Sequence, residues 1–121
     1  MTLAIRTITF DCADAHRVAA FWAKALDAEV DEGGDPDFCS IGRHDGSSPS
    51  LFFVAVPEAK SCKNRVHLDL ETPDRASEVV RLLGLGAQIV AEKAAGPYVW
   101  TIMGDVEGNE FCVSEPHHAE G

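Results

Sequence analysis

The chain has 121 residues, enough for one domain with a buried core, and 45% of them are hydrophobic while 25% are charged. This balance excludes a disordered chain, and no apolar stretch approaches the roughly 20 residues that a membrane-spanning helix needs. Its 20 acidic residues against 10 basic ones give a net charge of −10, which excludes nucleic acid and anionic membrane surfaces as partners.

The first half predicts the order strand, helix, strand, strand, strand. Residues 5–10 alternate and are rich in β-branched side chains, which is typical of a strand. Asp14 is a suitable N-cap for a helix, whose apolar positions recur at helical spacing: Val18, Phe21, Trp22, Ala25 and Leu26. Turn-forming residues then separate three short predicted strands, at 28–31, 37–41 and 50–56.

The second half predicts the same order. Residues 66–71 form a predicted strand, and Thr72-Pro73-Asp74 begins a helix with Pro73 at its first helical position. The apolar stripe of this helix is predicted to be Ala76, Val79, Val80 and Leu83, with Gly84 or Gly86 ending it. Three more strands are predicted at 87–91, 98–103 and 110–114.

The two halves therefore read as an internal repeat. The strands superpose at an offset of about 60 residues, which pairs Ile8 with Leu68, whereas the helical stripes superpose better at about 58. We predict an α+β fold of two βαβββ modules in tandem, whose curled mixed sheets enclose a cleft. Module 1 spans about 4–56, the linker 57–63 and module 2 about 64–115, all within a single domain of residues 1–121.

Two stretches of alternating polarity, residues 63–70 and 108–113, carry ionisable side chains among apolar ones. His67 and Asp69 share one face of the first stretch, and Glu110 and Cys112 share one face of the second, because side chains alternate along a strand. The intervening residues are apolar and are predicted to lie under the helices: Leu68, Leu70, Phe111 and Val113. We expect His67 and Glu110 to meet in the cleft, where they coordinate a metal or exchange a proton. A hydrogen-bonded His67 without chemistry is the alternative.

Further residues are candidates for the lining of the same cleft. The aromatic candidates are Phe38, Phe52, Tyr98 and Trp100, with core packing as the alternative for each. Asp69 either orients the His67 imidazole or faces solvent, and Cys112 is expected to reach the pocket. His117 and His118 lie in a polar tail and are expected to be solvated.

Tandem modules with a His in the fifth strand and a Glu in the last strand resemble the vicinal oxygen chelate superfamily. The superfamily includes glyoxalase I, the bleomycin-resistance proteins and extradiol dioxygenases, and the chain is most similar to small bacterial glyoxalase-like domain proteins. The matching motifs cover nearly the whole chain: Phe10-Asp11-Cys12-Ala13-Asp14 with Phe21-Trp22, then residues 56–60 with 63–70, and residues 100–113. One fold hosts many activities, so the resemblance implies the fold more narrowly than the function.

The resemblance also implies a metal position. Superfamily members bind a divalent metal through side chains of the first, fourth, fifth and eighth strands. The equivalent positions here are Thr7, Ser50 or Leu51, His67 and Glu110. Two protein ligands fall short of the three that catalytic zinc sites use, and His16 or His44 adds a third only if a helix start or a turn folds into the cleft.

These observations lead to three functional hypotheses. The first is a protein that binds a small organic molecule without a resident cofactor. We expect it to be cytoplasmic with reduced thiols, because the N-terminus lacks the regions of a secretion signal. The second is a lyase, isomerase or dioxygenase that uses a divalent metal (zinc, nickel, iron or manganese). The third is a dimerisation module without a ligand, and a homodimer is expected under all three.

Overall fold

The computed structural model describes residues 2–116 and has the α+β architecture that the sequence predicts. The chain divides between Lys60 and Ser61 into two compact units, and each unit carries one helix and one mixed sheet. His117 and His118 lie outside the described residues. No helix in residues 2–116 has both the length and the apolar character needed to cross a bilayer.

The first unit contains strand β1 (Thr7–Cys12), helix α1 (Ala15–Ala25), strand β2 (Phe38–Ile41) and strand β3 (Ser50–Ala55). The sheet order is β1-β3-β2, with β1 parallel and β2 antiparallel to β3. Helix α1 begins as predicted, because the Asp14 carboxylate accepts a hydrogen bond of 3.4 Å from the Arg17 backbone N–H. Its apolar side buries Val18, Phe21 and Trp22.

The second unit contains strand β4 (Leu68–Glu71), helix α2 (Arg75–Gly84), and strands β5 (Gln88–Ala95), β6 (Tyr98–Gly104) and β7 (Glu110–Ser114). The sheet order is β4-β7-β6-β5, with β4 parallel to β7 and the other pairs antiparallel. Asp74 caps α2 by accepting a hydrogen bond of 3.1 Å from the Ser77 N–H. Pro73 therefore lies before the helix, not at its first position.

The strand predicted at residues 28–31 is absent, so the first unit has three strands rather than four. Asp27 adopts a positive φ of 55°, which turns the backbone at the end of α1 away from an extended path. The Asp31 backbone N–H still donates to the Ser40 carbonyl at 2.9 Å. The Asp31 carboxylate also accepts a hydrogen bond of 2.7 Å from the Ser40 hydroxyl. A side-chain hydrogen bond therefore joins this segment to β2 where a regular strand would use backbone hydrogen bonds.

The internal repeat is present in the strand register. In the first unit Ile8 pairs with Leu51, and in the second Leu68 pairs with Phe111, so both strands of the parallel pair are offset by the same 60 positions. The helices follow the same offset, because the caps are Asp14 and Asp74 and the buried α2 residues are Val79 and Leu82. The predicted offset of 58 for the helices was wrong: Val80 and Leu83 are 69% and 41% exposed.

Candidate functional site

The two faces of the second sheet differ sharply in composition. Phe111 and Val113 of β7 and Met103 of β6 point to the face that α2 covers and are almost fully buried. The opposite face carries Cys112 opposite Ile102, and Ser114 opposite Trp100. We call this second side the open face.

The open face borders a hollow of about 800 Å³. Its lining is Leu70, Trp100 and Ile102 on the apolar side, and His67, Asp69, Glu71, Cys112 and Ser114 on the polar side. Strand alternation explains the set apart from Leu70, because the other lining residues of β4, β6 and β7 are spaced two positions apart. Leu70, which was predicted to lie under the helix, also borders the hollow. An apolar floor with a few converging polar groups is typical of small-molecule sites.

Three side chains converge at one end of this lining. His67 Nε2 lies 3.4 Å from Asp69 Oδ1, because the two residues are two positions apart on the same face. Asp69 is the direct partner of Cys112 across the β4–β7 pair. One ligand atom each from His67, Asp69 and Cys112 lies within 4.8 Å of the other two. Of the alternatives for Asp69, the structure therefore places it beside the imidazole, although its side chain is also 74% exposed.

The Cys112 thiol is held in its protonated form by its surroundings. Burial raises its pKa, and the nearby Asp69 carboxylate raises it further, both through its negative charge and through a hydrogen bond. The positive charge of Lys63 acts in the opposite direction but does not reverse the shift. A metal-free Cys112 is consequently a poor nucleophile near neutral pH, since the thiolate is the reactive form.

Glu110 is engaged elsewhere. Its carboxylate accepts a hydrogen bond of 2.8 Å from the Asn64 backbone N–H and lies 3.9 Å from Lys63 Nζ. Glu110 belongs neither to the lining of the hollow nor to the group formed by His67, Asp69 and Cys112. The structure groups His67 with two residues that the sequence treated as accessory, and the expected pairing of His67 with Glu110 stays a prediction.

The first unit carries hydroxyl groups where the resemblance places two metal ligands. Thr7 and Ser50 are direct partners across the β1–β3 pair, and their hydroxyl oxygens lie 2.9 Å apart in a hydrogen bond. Hydroxyls satisfied by each other are poor ligands for zinc, nickel or iron. The four positions implied by the resemblance thus do not provide a complete ligand set for a transition metal.

The aromatic candidates separate into different environments. Phe38 and Phe52 pack edge to face at 5.1 Å in the first unit, with the Arg43 guanidinium within 5.8 Å and 5.6 Å of their ring centres. Trp100 lines the hollow of the second unit, whereas Tyr98 is 41% exposed and does not.

The two histidines considered as third ligands both belong to the first unit. His16 Nε2 lies 3.3 Å from the Gly34 carbonyl oxygen. His44 borders a small hollow of about 70 Å³ together with Asp31 and Arg43.

Sequence reasoning missed several lining residues, among them Glu71, Ile102 and Ser114. Alternation was the available signal, because Glu71 follows Asp69 by two positions and Ser114 follows Cys112 by two. The signal was incomplete, because alternation does not say how far along a strand the hollow extends.

The comparisons with known proteins agree with this architecture. A family model described as a glyoxalase-like domain matches residues 7–114. A glyoxalase/bleomycin resistance/dioxygenase family enzyme from Burkholderia phytofirmans PsJN superposes with a TM-score of 0.74 at 14% identity, covering 93% of this chain and 98% of that one. No curated protein sequence matches the chain significantly.

Two further solved structures are similar in fold. The fosfomycin resistance protein FosX from Listeria monocytogenes, complexed with Mn(II) and 1S,2S-dihydroxypropylphosphonic acid, has a TM-score of 0.75 at 12% identity, covering 97% of this chain and 92% of that one. The bleomycin-binding protein from Streptomyces verticillus, complexed with copper(II)-bleomycin, has a TM-score of 0.63 at 13% identity, covering 97% and 99%. At these identities the likeness establishes the fold alone.

Proposed function

Since the chain belongs to the glyoxalase-like domain family, we propose that it binds a small organic molecule in the hollow on the open face of its second sheet. The observation that carries this proposal is the lining itself, in which an indole and aliphatic side chains adjoin carboxylates, an imidazole and a thiol. The volume of about 800 Å³ is in the range of drug-sized ligand sites. The similar folds that hold bleomycin or a phosphonate add support at the level of fold.

The lining also restricts the chemistry of the ligand. Trp100 is partly exposed, so one face of an aromatic or otherwise planar group is able to stack on its indole. Asp69 and Glu71 place two carboxylates on the polar side, and no Lys or Arg belongs to the lining. We therefore expect a ligand with an apolar, planar body and a basic or hydrogen-bond-donating group, and we expect a purely anionic ligand to be excluded.

A fluorescence titration tests this proposal. Planar amines are added to the metal-free protein in the presence of a chelator, and quenching is followed in a Trp22→Phe variant, where Trp100 is the single remaining tryptophan. Saturable quenching is expected for cationic planar compounds, with affinity reduced at least about tenfold when Asp69→Asn is added to the same background, as loss of about 1.4 kcal/mol would produce.

Matched controls separate loss of binding from loss of fold. Glu29→Gln removes an exposed carboxylate outside the lining, and Val80→Ala shortens an exposed apolar side chain on α2. Both are expected to bind like the parent protein. Equal affinity in the Asp69→Asn variant and the parent, or no saturable binding by any planar amine, would contradict the proposal.

Metal-dependent catalysis on the same hollow is the second candidate function. It is favoured by the convergence of His67, Asp69 and Cys112 within 4.8 Å. Turnover of a lyase, isomerase or dioxygenase substrate that is abolished by chelators, and restored by one divalent metal, would favour it over simple binding. Turnover that is indifferent to chelators would exclude it.

A homodimer in the cytoplasm completes the proposal. Strand β5 forms one edge of the second sheet, and its Ile89 and Val90 are 46% and 55% exposed, which offers an apolar strip for a second copy. Light scattering is expected to give twice the chain mass for the parent protein and the chain mass for a Val90→Lys variant. A monomeric parent protein would contradict this part.

A further inference from the structure

We propose that His67, Asp69 and Cys112 form a binding site on the open face for one zinc-type divalent ion. Cys112 lies two residues beyond Glu110 along β7. His67 immediately precedes β4, and Asp69 of β4 and Cys112 of the parallel strand β7 are direct cross-strand partners. Their potential ligand atoms all lie within 4.8 Å of one another. The site therefore needs no contribution from the first unit.

The separations are close to those of a tetrahedral ion. Metal–ligand distances of about 2.0–2.3 Å place the ligands of tetrahedral zinc about 3.3–3.8 Å apart. His67 Nε2 and Asp69 Oδ1 already lie 3.4 Å apart. The side chains of His67 and Asp69 are 43% and 74% exposed, so small rotations toward Cys112 meet little packing resistance.

The donor set indicates the class of metal. One imidazole nitrogen, one carboxylate oxygen and one thiolate suit zinc and its spectroscopic substitute cobalt, whereas magnesium and calcium prefer oxygen donors alone. Cys112 is 6% exposed and lies at the base of the group, while the two exposed ligands leave one side facing the hollow. Three protein ligands with an open fourth position is the arrangement of catalytic rather than structural zinc.

Glu110 is excluded from this set by its own contacts. Its carboxylate is held by the Asn64 N–H at 2.8 Å and by Lys63 at 3.9 Å. The carboxylate at the family position is therefore engaged through its Oε1 atom. Two of the three donors, Asp69 and Cys112, lie on the same face two residues further along β4 and β7.

Cobalt titration of the full-length, tag-free protein tests the site with the metal alone. The protein is stripped with a chelator, dialysed and titrated with Co²⁺ under reducing conditions. We expect one equivalent to bind, with a thiolate-to-cobalt charge-transfer band in the near ultraviolet and visible d–d bands of four-coordinate intensity, both displaced by Zn²⁺. Cys112→Ser is expected to remove the charge-transfer band, and Asp69→Asn to weaken binding at least about tenfold, the loss that removal of even an outer partner causes.

Three controls make the result decisive. Cys62→Ser removes an exposed cysteine outside the group and is expected to leave the spectrum unchanged. Asp69→Asn alters an exposed side chain, so its effect is readable even if Cys112→Ser destabilises the fold. Glu110→Gln is expected to bind cobalt like the parent protein. No charge-transfer band, its loss in Cys62→Ser, or weaker binding in Glu110→Gln than in Asp69→Asn would each overturn the proposal.

The outcome is separable from that of the proposed ligand site. Cobalt binding uses no organic compound, and the fluorescence titration is performed with a chelator present. Absence of cobalt binding together with saturable quenching would leave the organic-ligand proposal standing alone. Cobalt binding without quenching by planar amines would leave only the metal site.

Discussion

The two units share a scaffold and differ in what they display on it. Ile8 with Leu51 and Leu68 with Phe111 occupy identical places in the parallel strand pairs of their units. One residue before these positions the first unit has Thr7 and Ser50, joined by a hydrogen bond of 2.9 Å, whereas the second has His67 and Glu110. The shared register thus carries two hydroxyls that hydrogen-bond to each other in one unit, and an imidazole and a carboxylate in the other.

The same contrast extends to the face of each sheet away from its helix. In the first unit Phe38 and Phe52 pack against each other, and Arg43 lies over both rings. In the second unit Trp100 faces a hollow that also contains His67, Asp69 and Cys112. Backbone geometry is therefore set by the buried apolar positions, and chemistry by the alternate positions, which packing leaves free to vary.

The largest expected effect is on the free energy of unfolding, and it tests whether the two cores contribute equally to stability. Trp22 is fully buried and packs against Phe10 and Phe21, both at 5.4 Å, so Trp22→Ala is expected to lower the free energy of unfolding by about 3–5 kcal/mol. Leu82, its counterpart at the 60-residue offset, is expected to cost about 2–5 kcal/mol when changed to Ala. Urea unfolding followed by circular dichroism measures both.

Leu83→Ala is the control for Leu82→Ala, because it removes the same atoms from a side chain that is 41% exposed. It is expected to cost less than about 1 kcal/mol, since it leaves no buried cavity. Equal losses from Leu82→Ala and Leu83→Ala would mean that α2 packs through the stripe predicted from the sequence.

A second prediction concerns a polar anchor in the second unit, formed by the contacts of the Arg75 side chain. The Arg75 side chain is 19% exposed and donates to the fully buried Thr101 hydroxyl at 2.7 Å, with Glu92 at 3.5 Å and Glu115 at 3.7 Å. Arg75→Met is expected to lower the free energy of unfolding by about 1–3 kcal/mol, because it removes partners from buried polar groups. Thermal and urea unfolding provide the measurement.

Arg81→Met is the matched control for Arg75→Met. Arg81 pairs with Glu78 at 2.7 Å on the exposed side of α2 and is itself 41% exposed. Exposed helical pairs contribute about 0.5 kcal/mol or less. A loss from Arg75→Met no larger than that from Arg81→Met would show that the anchor contributes nothing beyond an ordinary surface pair.

A third prediction concerns the hydroxyl pair of the first unit. A double-mutant cycle of Thr7→Val and Ser50→Ala is expected to give a coupling of about 0.5–1.5 kcal/mol, the net value of a typical hydrogen bond. Cobalt binding is expected to be unchanged in both variants. Zero coupling would mean that the hydrogen bond contributes no stability, and altered cobalt binding would give the first unit a role in the metal site.

The smallest expected effect is a pH dependence of stability that arises from Asp31 in the first unit. Burial raises the pKa of Asp31, but hydrogen bonds from the Ser40 hydroxyl and the Arg43 and Gly42 backbone, with the charge of His44, outweigh it and hold the pKa below its usual value. A carboxyl whose folded pKa is depressed stabilises the fold above its unfolded pKa of about 3.9 and loses that contribution as pH falls through the lower folded value.

Asp31→Asn is therefore expected to lower the free energy of unfolding at pH 7 and to approach the parent protein below about pH 4. Urea unfolding across that interval measures the difference, and Asp27→Asn, an exposed carboxylate at the end of α1, is the control. The equivalent position in the second unit is Ala91, which has no carboxyl to contribute a matching effect. A difference that stays constant with pH would contradict the argument.

The sequence by itself determined the parts of the fold that depend on local geometry. Asp14 caps α1 as predicted, because a short carboxylate reaches the backbone N–H groups of the first turn, and this depends on neighbouring residues alone. The start of α2 was predicted within two residues, since its cap is Asp74 and Pro73 lies before the helix. Alternation likewise fixed that His67 and Asp69 share a face, and that Glu110 and Cys112 share one. Alternation, cap and turn signals also predicted the order of the elements, apart from the strand at 28–31, which is absent.

Only the tertiary structure decided which of these residues meet. The register of β4 against β7 sets Asp69 opposite Cys112, residues 43 positions apart, and no local pattern encodes a pairing over that distance. The contacts of Glu110 with Asn64 and Lys63 depend on the path of the loop before β4, which hydrophobic periodicity does not specify. Val79 is buried as predicted, but the choice of Leu82 over Val80 and Leu83 beside it was made by packing, because either choice satisfies helical spacing.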